Sequence, residues 1–196
     1  VEDLEKVIAF IIEIEKLKDI SRKTKPIGLD RFENSAEHSW HVCISALMLK
    51  ETANETINID RVIRMLLIHD LGEIDAGDTI VYAKENNALK AKEEKGLKRV
   101  LSILPDKTRD EFLELWKEFE AGETHDACFA RAIDRIPPLL HNIYGGGHSW
   151  HQHKVSKEQV HSVNQRIELG SKQLWAMIRK KLDKAEQEGL FDQTDT

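Results

Sequence analysis

The chain has 196 residues, enough for one domain with a real hydrophobic core. Charged residues make up 33% and aromatic residues 6%, and a net charge of −6 without a run of basic residues excludes a dedicated polynucleotide binder. Gly and Pro are scarce, at 10 and 4, no apolar stretch reaches membrane-spanning length, and Val1-Glu2-Asp3 does not open a signal peptide, so a mostly helical cytoplasmic protein is expected.

Residues 3 to 18 predict a helix with Leu4, Val7, Ile8, Ile11, Ile12 and Ile14 on a broad apolar face. Lys16, Lys18, Arg22, Lys23 and Lys25 then gather before Pro26 and Gly28. They read either as a solvated loop or as an electropositive rim for an anion, with Arg22 as a phosphate fork. Ser35 is the expected cap of the next helix, which carries Val42, Cys43, Ile44, Ala46, Leu47 and Leu49 and ends near Ala53. His38 and His41, three residues apart, share a face of it. Cys43 and Cys128 sit singly in helical patterns and read as buried reduced thiols.

A third helix starts at or just before Asp60 and runs through Val62, Ile63, Leu66 and Leu67 to His69-Asp70, where Gly72 weakens it. That histidine and aspartate close an apolar run. A buried polar pair is costly without partners, and a divalent cation accepts imidazole nitrogen and carboxylate oxygen together. Asp75, Gly77 and Asp78 follow as a turn-like acidic stretch. Residues 87 to 103 and 106 to 121 predict two amphipathic helices, separated by Pro105 and closed by Gly122; Lys92-Glu93-Glu94-Lys95 reads as a wet face. Thr124 to Tyr144 predict another helix, bent at Pro137-Pro138, in which Asp134 lies among apolar residues with Arg131 or Arg135 as its nearest ordinary partner.

Gly145-Gly146-Gly147 leads into His148-Ser149-Trp150-His151-Gln152-His153, expected as a flexible loop. Its histidines could bind metal but better suit the mouth of a site or a subunit contact, and Trp150 reads either as a base-stacking residue or as a loop anchor. Ser156 with Gln159 predicts a capping box for one last long helix, with Val160, Val163, Ile167, Leu174, Trp175, Ile178 and Leu182 on its apolar face. The tail from Gln187 should fray. The expectation is an all-α single domain over 1–196, with a core of about 4–182.

Collected in order, the polar residues set in apolar patterns are His38, His69, Asp70 and Asp134, with 31 positions between the histidines and 64 between the aspartates. This His…His-Asp…Asp series resembles the HD-domain metal-dependent phosphohydrolases. Glu33-Asn34-Ser35-Ala36-Glu37-His38-Ser39 looks like the E-N-x-A-E-H-S segment of the branch containing bacterial 5′-deoxynucleotidases, and His69-Asp70-x-x-Glu73 followed by Gly77-Asp78 is similar to that branch's second motif.

The resemblance implies a helical bundle around one divalent ion, held by His38, His69, Asp70 and Asp134. Two imidazoles and two carboxylates suit Mn²⁺, Co²⁺, Fe²⁺, Ni²⁺ or Zn²⁺. It also implies Glu73 as the group that orients or deprotonates water, Asp78 on the leaving-group side, and Arg22 as the phosphate grip, the two acids being exchangeable in role. The deoxynucleotidases carry a tryptophan directly after that arginine. Here Lys23 stands there, and no tryptophan occurs before Trp40, so strict 2′-deoxynucleotide preference does not carry over.

The implied activity is phosphate removal from a nucleoside 5′-monophosphate or similar small monoester. Phosphodiesterase or triphosphohydrolase activity on the same scaffold, a metal-bound nucleotide sensor, and a helical interaction module with an incidental His-Asp are the alternatives. The broad apolar faces of the first and last helices predict a homodimer.

Overall fold

The computed structural model describes residues 1–82 and 87–191, and among them the chain is helical throughout, with one isolated antiparallel bridge between Ser21 and Asn34. α1 (Glu2–Glu13) continues as a 3-10 turn (Ile14–Asp19); α2 (Ser35–Leu49) and α3 (Ile59–Ile68) follow, then the short α4 (Glu73–Ala76). α5 (Asn87–Leu101) and α6 (Asp106–Ala121) lead to α7 (His125–Asp134) and α8 (Ile136–Tyr144). The chain ends in α9 (His148–Gln152), α10 (Lys157–Asn164), α11 (Ile167–Gly170) and α12 (Lys172–Gln187).

α2, α3 and α7 pack on one another, and α6 and α11 close the far sides of α7. Val42 and Ala46, Val62, Met65 and Leu66, and Phe129, Ala130 and Ile133 meet there, all fully buried. The alanines let the axes approach, and each large side chain removed from water contributes about 1.5–3 kcal/mol. This kernel fixes the ends of three helices relative to one another, and the polar residues of interest sit at those ends.

Several local expectations change. Asn34, not Ser35, caps α2: its Oδ1 accepts from the Glu37 backbone N–H at 2.9 Å while the Glu37 carboxylate accepts from the Asn34 N–H at 3.2 Å. Both residues are good caps, and the choice leaves the Ser35 hydroxyl available elsewhere. The helix expected over Thr124 to Tyr144 is two, broken at Arg135, because Pro137 and Pro138 supply no backbone donors and occupy the first turn of α8.

The last long helix is three pieces. Its capping box forms as expected at Ser156 and Gln159. Gly170, however, lies so close to α7 that a Cβ there would come within 2.4 Å of the Cys128 carbonyl oxygen. Ser171 then turns extended and its Oγ caps Leu174. The period of the apolar residues continues through this break, and only the approach of α7 reveals it.

The triglycine segment leads not into a loop but into α9, and Trp150 is fully buried. Trp150 Nε1–H donates to the Tyr82 hydroxyl at 3.3 Å, and its ring stacks on Phe191 at 4.5 Å, so it anchors the fold and does not face a ligand. Phe191 is itself buried, so the tail is tied down to that point instead of fraying from Gln187. Cys43 is buried and Cys128 half-buried, both unpaired. No helix among the described residues is long and apolar enough to cross a membrane.

Candidate metal centre

The end of each kernel helix delivers one part of a buried polar cluster. His38 lies one turn into α2, His69 and Asp70 follow directly on α3, and Asp134 is the last residue of α7. His38 Nε2 lies 2.9 Å from Asp134 Oδ1, and His69 Nε2 lies 3.3 Å from the same oxygen. Asp70 offers Oδ1 3.1 Å from His69 Nε2 and Oδ2 4.0 Å from His38 Nε2. The structure therefore brings together all four residues singled out in the sequence. Donor atoms of His38, His69 and Asp134 all lie within 4.8 Å of one another.

Tautomers decide what this cluster lacks. His69 Nδ1–H donates to the Leu66 carbonyl at 2.7 Å, which turns Nε2 toward the carboxylates, buried and without a hydrogen-bond partner. His38 hydrogen-bonds through Nε2 to Asp134 Oδ1 at 2.9 Å, and its Nδ1 is buried without a hydrogen-bond partner, 3.4 Å from Glu33 Oε2. The Nε2 edges of two imidazoles and two carboxylates thus point at one another out of water. They repel unless positive charge lies between them, as a proton or a cation. The donor set fits a borderline divalent ion, and the Leu66 carbonyl on the distal nitrogen of His69 is the orienting partner that a ligating histidine requires.

Around this cluster lie the other predicted residues. Arg22, half-buried, donates from Nη1 to Asp70 Oδ2 at 2.8 Å and stands 3.8 Å from Glu73 Oε1 and 3.6 Å from Asp78 Oδ1; its Nε is 3.4 Å from Glu33 Oε2. The basic segment before Pro26 is thus no solvated loop at Arg22. The Ser35 hydroxyl, released from capping, donates to Glu73 Oε2 at 2.6 Å. Gly77, at φ +78, makes the left-handed turn that swings Asp78 back toward Arg22.

The acids divide by environment. Burial alone would raise Asp70, but His69 and Arg22 outweigh it and hold its carboxyl at about 2. Burial likewise opposes ionisation of Asp134, but the His38 hydrogen bond and the adjacent His69 imidazole keep it well below the usual range. His69 is raised well above an ordinary imidazole: burial pulls it down, and Asp70 with Asp134 pulls it further up. Glu73 is pushed well up, by burial and then by Asp70, and Asp78 is raised by burial with Arg22 opposing. Two carboxylates are thus held toward the anion by their cationic neighbours, while burial shifts the other two toward the acid form, a division typical of sites that handle protons.

Beside the cluster opens a cavity of about 500 Å³, with Asp70, Glu73 and Asp134 at its polar end and Tyr82, Trp116 and Phe119 among its walls. Arg135 lines it as well, its Nε buried without a hydrogen-bond partner and only 3.8 Å from Asp134 Oδ2. Arg131 is not the partner of Asp134; it donates to the Phe119 and Glu120 carbonyls. Glu93, read from sequence as part of a wet face, is half-buried in the cavity wall, and burial together with Glu120 lifts its carboxyl to about 7.

Sequence reasoning gave no role to Glu33, which backs His38, or to the Ser35 contact with Glu73. The signal for both was their place in the segment leading to His38. The histidines of the 148–153 segment stay apart from the centre; His151 and His153 are exposed.

A family model described as HD domain matches residues 14–175. Human 5′-deoxynucleotidase HDDC2 is 29% identical over 117 residues, covering 58% of this chain and 54% of that protein. The 5′-deoxynucleotidase of Vibrio cholerae is 30% identical over 133 residues, 62% of this chain and 69% of the relative. The chain thus spans about half the length of the human relative it matches. The crystal structure of a predicted metal-dependent phosphohydrolase from Magnetospirillum magnetotacticum MS-1 superposes with a TM-score of 0.92 at 43% identity, covering 98% of this chain and 100% of that one.

Proposed function

This chain belongs to the HD-domain family, and we propose that it is a metal-dependent phosphohydrolase that releases phosphate from a nucleoside 5′-monophosphate or a similar small monoester. The carrying observation is the convergence of the His38, His69 and Asp134 donor atoms within 4.8 Å, with Asp70 beside them. Relatives named 5′-deoxynucleotidase and metal-dependent phosphohydrolase support the reading.

In it, His38, His69, Asp70 and Asp134 hold one divalent ion of the Mn, Co, Fe, Ni or Zn group. When bound, such an ion supplies Lewis acidity toward a phosphoryl oxygen and acidifies water. Arg22 divides its charge among four acids, and its planar fork is the grip for an arriving phosphate. Glu73 orients the attacking water and takes its proton. Ser35 fixes one carboxylate oxygen of Glu73, and the raised pKa makes the residue a stronger base than an exposed glutamate. Asp78, whose carboxyl burial also raises, passes a proton to the leaving oxygen. The 500 Å³ cavity has room for a nucleoside, with aromatic walls for the base.

The whole chain acts as one HD domain, in the cytoplasm, and as a homodimer. The homodimer rests on Leu4, Ile8, Ile11 and Ile12 of α1 together with Trp40, Ile44, Leu47 and Met48 of α2, which leave large apolar side chains exposed. The last helix contributes little, since Leu174, Trp175, Ile178 and Leu182 are buried.

The test is phosphate release from a panel of ribo- and deoxyribonucleoside monophosphates, run with the protein loaded with each candidate ion. Release is expected on several members, without strict preference for the 2′-deoxy sugar. Absence of release on all of them, with metal bound, overturns the reading.

A further inference from the structure

A second set of imidazoles and carboxylate lies on the other edge of His38. His41, one turn further along α2, and His141 of α8 face each other with ring centroids 5.9 Å apart. Glu33, at 2% exposure, reaches between them from the segment before α2, with Oε1 3.9 Å from His141 Nε2. One donor atom from each of Glu33, His41 and His141 lies within 4.8 Å of the other two.

Glu33 Oε1, on the edge away from Arg22, has no cation at ion-pair distance other than the His141 ring among the described residues. His141 Nδ1 is 3.1 Å from the Thr24 hydroxyl, so the ring is oriented through its far nitrogen, as a ligating imidazole would be. Nε2 is then turned toward the Glu33 carboxylate at a separation too long for a hydrogen bond. Burial lowers the pKa of His141, which keeps the ring neutral and able to coordinate. The other Glu33 oxygen is buried without a hydrogen-bond partner and faces His38 Nδ1 and Arg22 Nε, each at 3.4 Å. The nearby cation Lys25 is engaged by Asp30 at 2.7 Å. His141 also lines a separate cavity of about 240 Å³, shared with Lys25, Pro26, Leu29 and His148, which gives a route for a small ion from solvent.

We infer that Glu33, His41 and His141 form an additional site for a divalent transition cation of the zinc class, separate from the centre at His38, His69, Asp70 and Asp134. Two imidazoles and one carboxylate, with remaining positions open to solvent, are a recurring three-ligand zinc set. Ligands of a tetrahedral ion lie roughly 3.4 Å apart, so the three side chains close by about an ångström on binding. Half-exposed His41 has the freedom to do so. Glu33 then spans the two centres, one oxygen toward the new ion and the other toward His38.

The test uses the full chain, stripped with chelator, reloaded with Zn²⁺ or Co²⁺ alone, desalted and assayed for metal content. The parent is expected to retain one more equivalent per chain than His41→Gln, and His41→Gln to keep the equivalent that Asp134→Ala loses. The Co²⁺ visible absorption should fall in His41→Gln and in Asp134→Ala and vanish in the double variant. His141→Gln should match His41→Gln; if it does not fold, as judged by circular dichroism, His41→Gln decides. Equal metal content and equal spectra in the parent and His41→Gln overturn the inference. That outcome is independent of phosphate release, which tests the other centre.

Discussion

Two regions of this protein are rich in histidine, and they behave in opposite ways. His148, His151 and His153 crowd into six residues, yet His151 and His153 point to solvent from α9, and no three-residue metal cluster among the described residues includes any of the three. His38 and His69 are 31 positions apart, yet their rings lie 5.6 Å from each other. Successive side chains on a helix diverge by about 100°, so local density scatters donor atoms unless a loop gathers them. Three helix ends locked by a common apolar kernel gather them without any local signal.

The sharpest way to break this contrast is Asp134→Ala beside the pair His151→Ala and His153→Ala. Loss of Asp134 should empty the first centre and lower phosphate release by about a thousandfold or more, several kcal/mol of transition-state stabilisation. The α9 histidine variants should keep both metal and turnover, as metal analysis alongside the phosphate assay will report. A substantial metal loss on removing His151 or His153 would make the dense segment the true centre.

Trp150→Ala sharpens the same contrast from the stability side. The segment's importance lies in the anchor between its histidines, and the cavity left under Phe191 should cost about 3–5 kcal/mol in urea unfolding. His153→Ala should stay within about 0.5 kcal/mol of the parent.

The smallest effect concerns Glu93, another member of a dense cluster whose meaning comes from packing. Burial, with Glu120 beside it, lifts its carboxyl to about 7 in the folded chain, against about 4.5 for an ordinary glutamate. The folded state therefore binds the extra proton between those values. The stabilisation from that proton is full below about pH 4.5 and is lost as pH rises through about 7. In the metal-free protein, Glu93→Gln should flatten the decline in stability between pH 5 and 8. Melting temperatures across that range will measure it, and an unchanged slope would return Glu93 to the solvated surface.

Much of this was legible in the residues. Apolar periods gave the helical class, and the four polar residues stood out because each interrupted or bordered an apolar face. The partners of those residues were harder to read. Asn34 and Ser35 are equally good caps by chemistry, and the place of Glu73 at the start of α4, within reach of Ser35, decides that Ser35 serves Glu73. The break at Gly170 depends on the Cys128 carbonyl, more than forty positions earlier, and no window of sequence holds both. His141 was an unremarked residue near the end of a helix until α8, turned by the proline break, carried it to Thr24 and Glu33.

That same break has a thermodynamic consequence. It makes Asp134 the final residue of α7, where unpaired carbonyls give the helix end a partial negative charge, so an anionic side chain is held at the pole that repels it. The fold accepts this arrangement at a cost that a captured cation offsets. The ion therefore acts on folding as well as on chemistry: the melting temperature should climb with the concentration of free metal, and chelation should loosen first the corner where α7 turns into α8.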